Sequence, residues 1–295
     1  MTVYLNAMAQ GVLWGLMGLG MYITFRILNF ADLTSEASFT TGAVVAVSLM
    51  TKGYSPLVAC VAALIAGMLA GLLTGMLMVF FEIPPILASI ISLTGLYSIN
   101  LRILGSGNES LRRISTIFDY LTELSDQLIV RYFIIGIAIS TLFIGSLYYF
   151  FLTDRGQALI ATGDNELMAK SLGIPVSKMK LLGLMMANGL IGLSGALIAQ
   201  DNGFADITMG TGTVVIALSS IVLSEVLFPQ LTLLKRFMTI FIGAIIYRLL
   251  LVSVLQLGFS TNDFRLISAF FLALFLALPV LKRKLMGSRT VNEVK

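Results

Sequence analysis

The sequence predicts an all-α polytopic membrane protein of about nine transmembrane helices, and three observations carry that expectation. Hydrophobic residues make up 58% of the 295-residue chain and charged residues only 12%, against roughly 45–50% and 25% in soluble domains. Apolar runs of about 18–25 residues, enough to cross roughly 30 Å of hydrocarbon at 1.5 Å per residue, recur from end to end. Lys and Arg gather at the ends of these runs rather than in a stripe, so the net charge of +4 speaks for membrane topology and not for a nucleic-acid surface.

The predicted spans are Leu5–Leu28, Ser38–Met50, Pro56–Phe81, Pro84–Leu104, Ile129–Leu152, Met179–Ala199, Thr211–Leu227, Leu233–Val252 and Leu266–Leu281. The leading "MTVYLNAMAQ" has no basic segment, so the first run reads as a retained span and not as a cleaved signal peptide. The second run is short. Gly67, Gly71 and Gly75 in the third recur every fourth residue, as do Gly11 and Gly15 in the first. Such spacing lets helix backbones approach closely in lipid, as a face for a second copy or as a contact within the chain. Pro84-Pro85 after Glu82 marks a turn and the start of the fourth helix.

Between the fourth and fifth spans, Gly105–Asp126 carries Ile114, Ile117, Phe118, Leu121 and Leu124 at helical spacing. This predicts an interfacial helix that covers a pore mouth or receives a binding protein. After the fifth span comes a polar island, "TDRGQALIATGDNELMAKSLGIPVSKMK" (Thr153–Lys180). Gly163-Asp164-Asn165, then Met168, Ala169 and Leu172, then Gly173 and Pro175, predict a small helix on a loop, a knob for a soluble partner. Placing the island and the basic tail "KRKLMGSRTVNEVK" on one side takes four intervening spans. The N-terminus then lies outside, and Arg26, Arg155, Lys170, Lys178, Lys180, Lys235, Arg236 and the basic tail fall in the cytoplasm, against Lys52, Arg102, Arg112, Arg113, Arg131, Arg248 and Arg265 outside.

Sliding the chain against itself by 174 residues aligns Gly15–Thr34 with Gly189–Thr208 and ends on Phe-Ala-Asp-Leu-Thr against Phe-Ala-Asp-Ile-Thr. Five spans separate the two starts, so the repeat is inverted, the architecture of transporters whose halves rock around a central site. The matched segments supply the candidate substrate pathway or gate: Asn29, Phe30, Asp32, Thr34, Phe204, Asp206 and Thr208. Asp32 and Asp206 are also placed to cap the helices that follow them.

Asp32, Glu36, Glu82, Glu225, Arg248 and Asp263 all fall near predicted span ends, where a solvated or snorkelling side chain is the ordinary reading. The single Cys60 and the absence of histidine remove disulfides and the usual metal and acid–base chemistry, so no metal site and no catalytic residue is expected. No G-x-x-x-x-G-K-[ST] loop occurs, so any ATP hydrolysis belongs to another subunit. At this point a solute channel or secondary carrier, or a scaffold recruiting a cytoplasmic protein, stands beside a driven transporter.

"LNFADLTSEASFTTGA" (Leu28–Ala43), "TGDNELMAKSLGI" (Thr162–Ile174) and "NGLIGLSGALIAQDNGFADITMGTGTVVIALSSIVLSE" (Asn188–Glu225) together resemble permease subunits of ABC importers in the branched-chain amino acid and ribose permease superfamily. The subfamily linked to tryptophan and tyrosine uptake is the nearest in appearance. The resemblance implies two inverted bundles around a linking span, similar to vitamin B12-type importers. On that reading 1–128 is the first half with an external loop at 105–128, 129–152 the linking span, 153–180 a cytoplasmic coupling loop, 181–281 the second half and 282–295 a cytoplasmic tail. It also implies a second permease copy, an extracytoplasmic substrate-binding protein, and cytoplasmic ATPase subunits that bind the ATP and Mg. Gly163, Asp164, Asn165, Met168, Ala169, Leu172 and Gly173 would form the coupling helix.

Overall fold

The computed structural model describes residues 2–112, 114–121, 128–259, 263 and 265–277. The expected tail at 282–295, the end of the last predicted span, Arg113 and Leu124 lie outside the described residues.

Eleven α-helices can be named in chain order among the described residues. They are α1 (Thr2–Tyr22), α2 (Thr34–Thr51), α3 (Pro56–Val79), α4 (Pro85–Leu104), α5 (Leu128–Leu152), α6 (Asp154–Asp164), α7 (Glu166–Ser171), α8 (Val176–Asn202), α9 (Thr213–Leu227), α10 (Leu233–Gln256) and α11 (Arg265–Ala277). Six of them, α1 with its continuation to Ile27, α3, α4, α5, α8 and α10, are long and apolar enough to cross a membrane. The chain is therefore a multi-pass membrane protein. α9 and α11 are shorter apolar helices.

Local chemistry sets the boundaries. α1 loosens into a π-helical turn, Ile23–Ile27, and the chain reverses at Asn29, whose φ is +59°. Pro56 occupies the first turn of α3, and the Ser55 hydroxyl accepts from Val58 N at 3.5 Å. Gly105 and Gly203 end α4 and α8 in the left-handed conformation, which glycine adopts without steric cost.

Three expectations change. The second span is not short: α2 begins at Thr34 and runs 18 residues. Residues 105–121 do not form the amphipathic helix that their spacing suggested. Asn108–Ser110 (β1) instead pairs antiparallel with Phe204–Asp206 (β2), and a single 3-10 turn spans Ile117–Leu121. Asp119 accepts from both Thr116 N and Thr116 Oγ1 and so fixes the start of this turn, while Ile117 N donates to Gln200 Oε1 at 2.9 Å. Hydrogen bonds of this kind compete with helical ones. Finally, the polar island folds as two helices, α6 and α7, with Asn165 between them.

α8 is the central pillar, with α1, α2 and α3 packed around it. Every residue from Ala187 to Gln200 is buried, the pattern of a helix enclosed on all sides. Small residues make this possible. Gly67 and Gly71 of α3 lie against the carbonyls of Asn188 and Leu184, and Gly42 of α2 lies against Gly192, so closely that a Cβ at any of the three would collide with backbone. Gly75 faces Leu181, while Gly11 and Gly15 face α10 at Ile245 and Phe241. In lipid this close packing takes over from the hydrophobic drive between helices.

Candidate functional site

α1 and α8 run antiparallel: Gln10 in the first half of α1 donates to Asp201 at the end of α8 at 2.6 Å, and Leu28 beyond α1 touches Gly183 in the first third of α8. The two copies of the repeat therefore point to opposite ends of the molecule. Phe204–Asp206 is a paired strand and Phe30–Asp32 is not, but one bond recurs, with Asp32 Oδ1 accepting from Thr34 N at 2.9 Å and Asp206 Oδ1 accepting from Thr208 N at 2.7 Å. The surroundings differ. Asp32 is 1% exposed and Thr34 fully buried, rather than solvated at a span end. Asp32 Oδ2 accepts from Asn188 Nδ2 at 2.8 Å, Asn188 Oδ1 accepts from Ser38 at 2.6 Å, and Thr34 bonds Thr74 at 2.7 Å. This cluster ties α2 and α3 to the central helix. Asn29 is exposed and Phe30 is half-buried.

Phe204, Asp206 and Thr208 line a cavity of about 460 Å³ together with Trp14, Arg248, Arg265 and residues of the loop into α9. Arg248, expected near a span end, stands eight residues inside α10, which runs on to Gln256. Its Nη2 reaches Gln10 Oε1 at 2.5 Å, and the same Gln10 donates to Asp201. A second cavity, lined by Glu36, Thr40, Tyr97, Asn100 and Thr211, adjoins through Thr211. There Glu36 Oε1 accepts from Gly212 N at 2.8 Å. Trp14, Arg248, Arg265 and Asn188 were not singled out from sequence as pathway residues. The 174-residue offset could have flagged two of them, since it sets Trp14 opposite Asn188.

The other end carries the island. Asn165 Oδ1 accepts from Met168 N at 3.0 Å and starts α7; Gly173, at φ +79°, ends the turn after it. Ala169 is buried, while Leu167, Met168 and Leu172 are 79%, 60% and 66% exposed, and Asp164 is exposed as well. Leu167 was missing from the sequence-based set. Glu166 pairs with Lys180 of α8 at 2.7 Å and with Lys170 at 3.0 Å, and these two ammonium groups hold its carboxyl below the usual glutamate range. Gly163 lies against the Ile27 carbonyl, with no room for a Cβ. Nearby, Arg26 forms a two-pronged pair with Glu225 at the end of α9. The island thus touches the π-turn that closes α1, and that turn is tied to α9.

Among the described residues no three His, Cys, Asp or Glu side chains gather as a metal site. A family model described as branched-chain amino acid transport system / permease component matches residues 3–279. A "Tyrosine transport system permease protein" of Clostridioides difficile is 39% identical over 94% of this chain and 91% of its own length. An "Autoinducer 2 import system permease protein" of Escherichia coli is 30% identical over 60% of this chain and 51% of its own. Among solved structures, PsaBC from Streptococcus pneumoniae in complex with Fab aligns with a TM-score of 0.51 at 18% identity, covering 92% of this chain and 89% of that one. That likeness concerns the fold alone.

Proposed function

Since this chain belongs to the family of branched-chain amino acid transport system permease components, we propose that it is the membrane subunit of an ATP-driven importer for an amino acid of aromatic or branched-chain type. The 39% identity to a protein named for tyrosine transport favours the aromatic class. The working unit on this reading is two permease copies, two cytoplasmic ATPase subunits that bind ATP and Mg, and an extracytoplasmic substrate-binding protein. Each permease folds as two inverted bundles in the manner of vitamin B12-type importers, within the lipid of the cell membrane. The N-terminus and the β1–β2 end face outward, and the α6–α7 end and the C-terminal tail face the cytoplasm.

The observation that carries the reading is the knob at α7. Three large apolar side chains, Leu167 and Met168 on the six-residue α7 and Leu172 just after it, stand exposed beside the charged Glu166, Lys170 and Lys180. An apolar cluster rimmed by charge suits a protein groove. ATPase closure pushes on α7. The push passes through Gly163 to Ile27 and the π-turn, and through Arg26 to Glu225 and α9. The helices around the central pillar then alternate access. The test is Met168→Glu. Binding of the partner ATPase in detergent and ATP-driven uptake in proteoliposomes should both be lost, with the thermal stability of the permease retained. Undiminished uptake by that variant would exclude α7 as the coupling element.

A further inference from the structure

We propose that the cavity beneath the Phe204–Gly212 loop holds an amino-acid zwitterion, its ammonium on Asp206, its carboxylate on Arg248 and Arg265, and its apolar side chain against Trp14. The assignment rests on the reading of this chain as an amino-acid permease and places a solute site within one copy of it.

Two observations converge on this cavity. The first is the repeat. In one copy the second oxygen of the aspartate, Asp32 Oδ2, is filled by Asn188. In the other copy the residue equivalent to Asn188 is Trp14, since 188 − 174 = 14. No hydrogen bond joins the Trp14 indole to Asp206 among the described residues, and the two line a cavity instead. Both bonds from Thr208 fall on Asp206 Oδ1, so among the described residues no hydrogen bond falls on Oδ2, and Asp206 lines the cavity. The second observation is charge. Arg248 and Arg265 line the same space as Asp206. Ionisable side chains within a membrane protein mark solute pathways, and a guanidinium is the side chain suited to gripping a carboxylate. Arg248 is steadied by Gln10, itself bonded to Asp201, so its position is set by two further helices. Trp14 is steadied by stacking on Phe39 at 5.2 Å. A volume of about 460 Å³, walled by Trp14, Val215 and Ile216 and carrying opposite charges, has the make-up of a small-molecule site.

Trp14 is the single tryptophan of the chain, so its fluorescence excited at a wavelength that spares tyrosine reports this cavity directly. Purified permease titrated with L-phenylalanine should give a saturable Trp14 response. Phenethylamine, which lacks the carboxylate, and 3-phenylpropionate, which lacks the ammonium, should each bind about tenfold more weakly or worse, the loss expected for one charged hydrogen-bonding group. Asp206→Asn should weaken phenylalanine while leaving 3-phenylpropionate unchanged, and Arg265→Gln should weaken phenylalanine while leaving phenethylamine unchanged. A misfolded variant cannot produce that crossed pattern. No saturable response in the wild type, or analogues that bind as well as phenylalanine, overturns the site. ATP-driven uptake by the same permease reconstituted in proteoliposomes with its ATPase subunits and binding protein separates the two readings. Uptake without a Trp14 response overturns the cavity alone, whereas a response without uptake upholds the cavity and overturns the permease reading.

Discussion

Asn188 shows how much one side chain holds in this molecule. Its amide donates to Asp32 and to the Leu184 carbonyl and accepts from Ser38, and all of these groups lie where water does not reach. Asn188→Ala removes the partner of Asp32 Oδ2 and of the Ser38 hydroxyl together, while Thr34 N still donates to Asp32 Oδ1. An unsatisfied buried polar group costs about 1–3 kcal/mol and a charged one more, so the variant should melt clearly below the wild type in detergent; an unchanged melting temperature would show that the cluster is not structural. Asp32 was legible as special from its place in the repeat. Its partner was not, because 156 residues separate the two and only the crossing of α2 and α8 brings them together.

At the scale of the element, α7 is too short to be stable alone and depends on its cap and its tether. Asn165 starts the helix and Ala169 is buried beneath it, while Glu166 reaches Lys180 across the turn. Glu166→Gln removes the tether's charge, so amide exchange over 166–171 should quicken with little change elsewhere; equal exchange would mean that packing of Ala169 suffices. The pH dependence follows from the lowered carboxyl pKa. A folded value below the unfolded one means that the tether's contribution is fully present above the ordinary glutamate range, near 4.3. It is lost as pH falls through the depressed folded value. Because Glu166 and Lys180 are partly exposed, solvent screening keeps the effect local. The sequence signalled this knob through its polarity and its flanking glycines. The small helix after Asn165 was legible there, but the helix before it, α6, was not, because its polar residues read as loop. The opposite error occurred at 105–121, where apolar spacing suggested a helix but strand pairing and the Asp119 turn took over the backbone.

For the whole molecule, the two ends are distinguishable by experiment. Cys60 is the single cysteine and is buried, so a Cys60→Ser background allows one reporter to be placed at each end. Leu172→Cys, on the island, should react with a membrane-impermeant maleimide only after cells are permeabilised, and Ser106→Cys, beside β1, should react in intact cells; the reverse pattern would invert the proposed orientation. The membrane-spanning helical class, the order of the apolar runs, the polar island and the internal repeat were legible in the sequence itself, whereas of nine predicted spans six described helices are long and apolar enough to cross a membrane. Hydrophobic length, the placement of Lys and Arg, and self-similarity are properties of the chain read in one dimension. Only the tertiary structure decided that Gly67 and Gly71 serve α8, that one aspartate of the repeat is sealed by Asn188 while the other opens beside Trp14, and that Arg248 and Arg265 join it there. The physical reason is the solvent. In a bilayer the face turned to lipid and the face turned to protein are both apolar, so the periodicity that reveals the core of a soluble protein does not say which side of a membrane helix meets which neighbour.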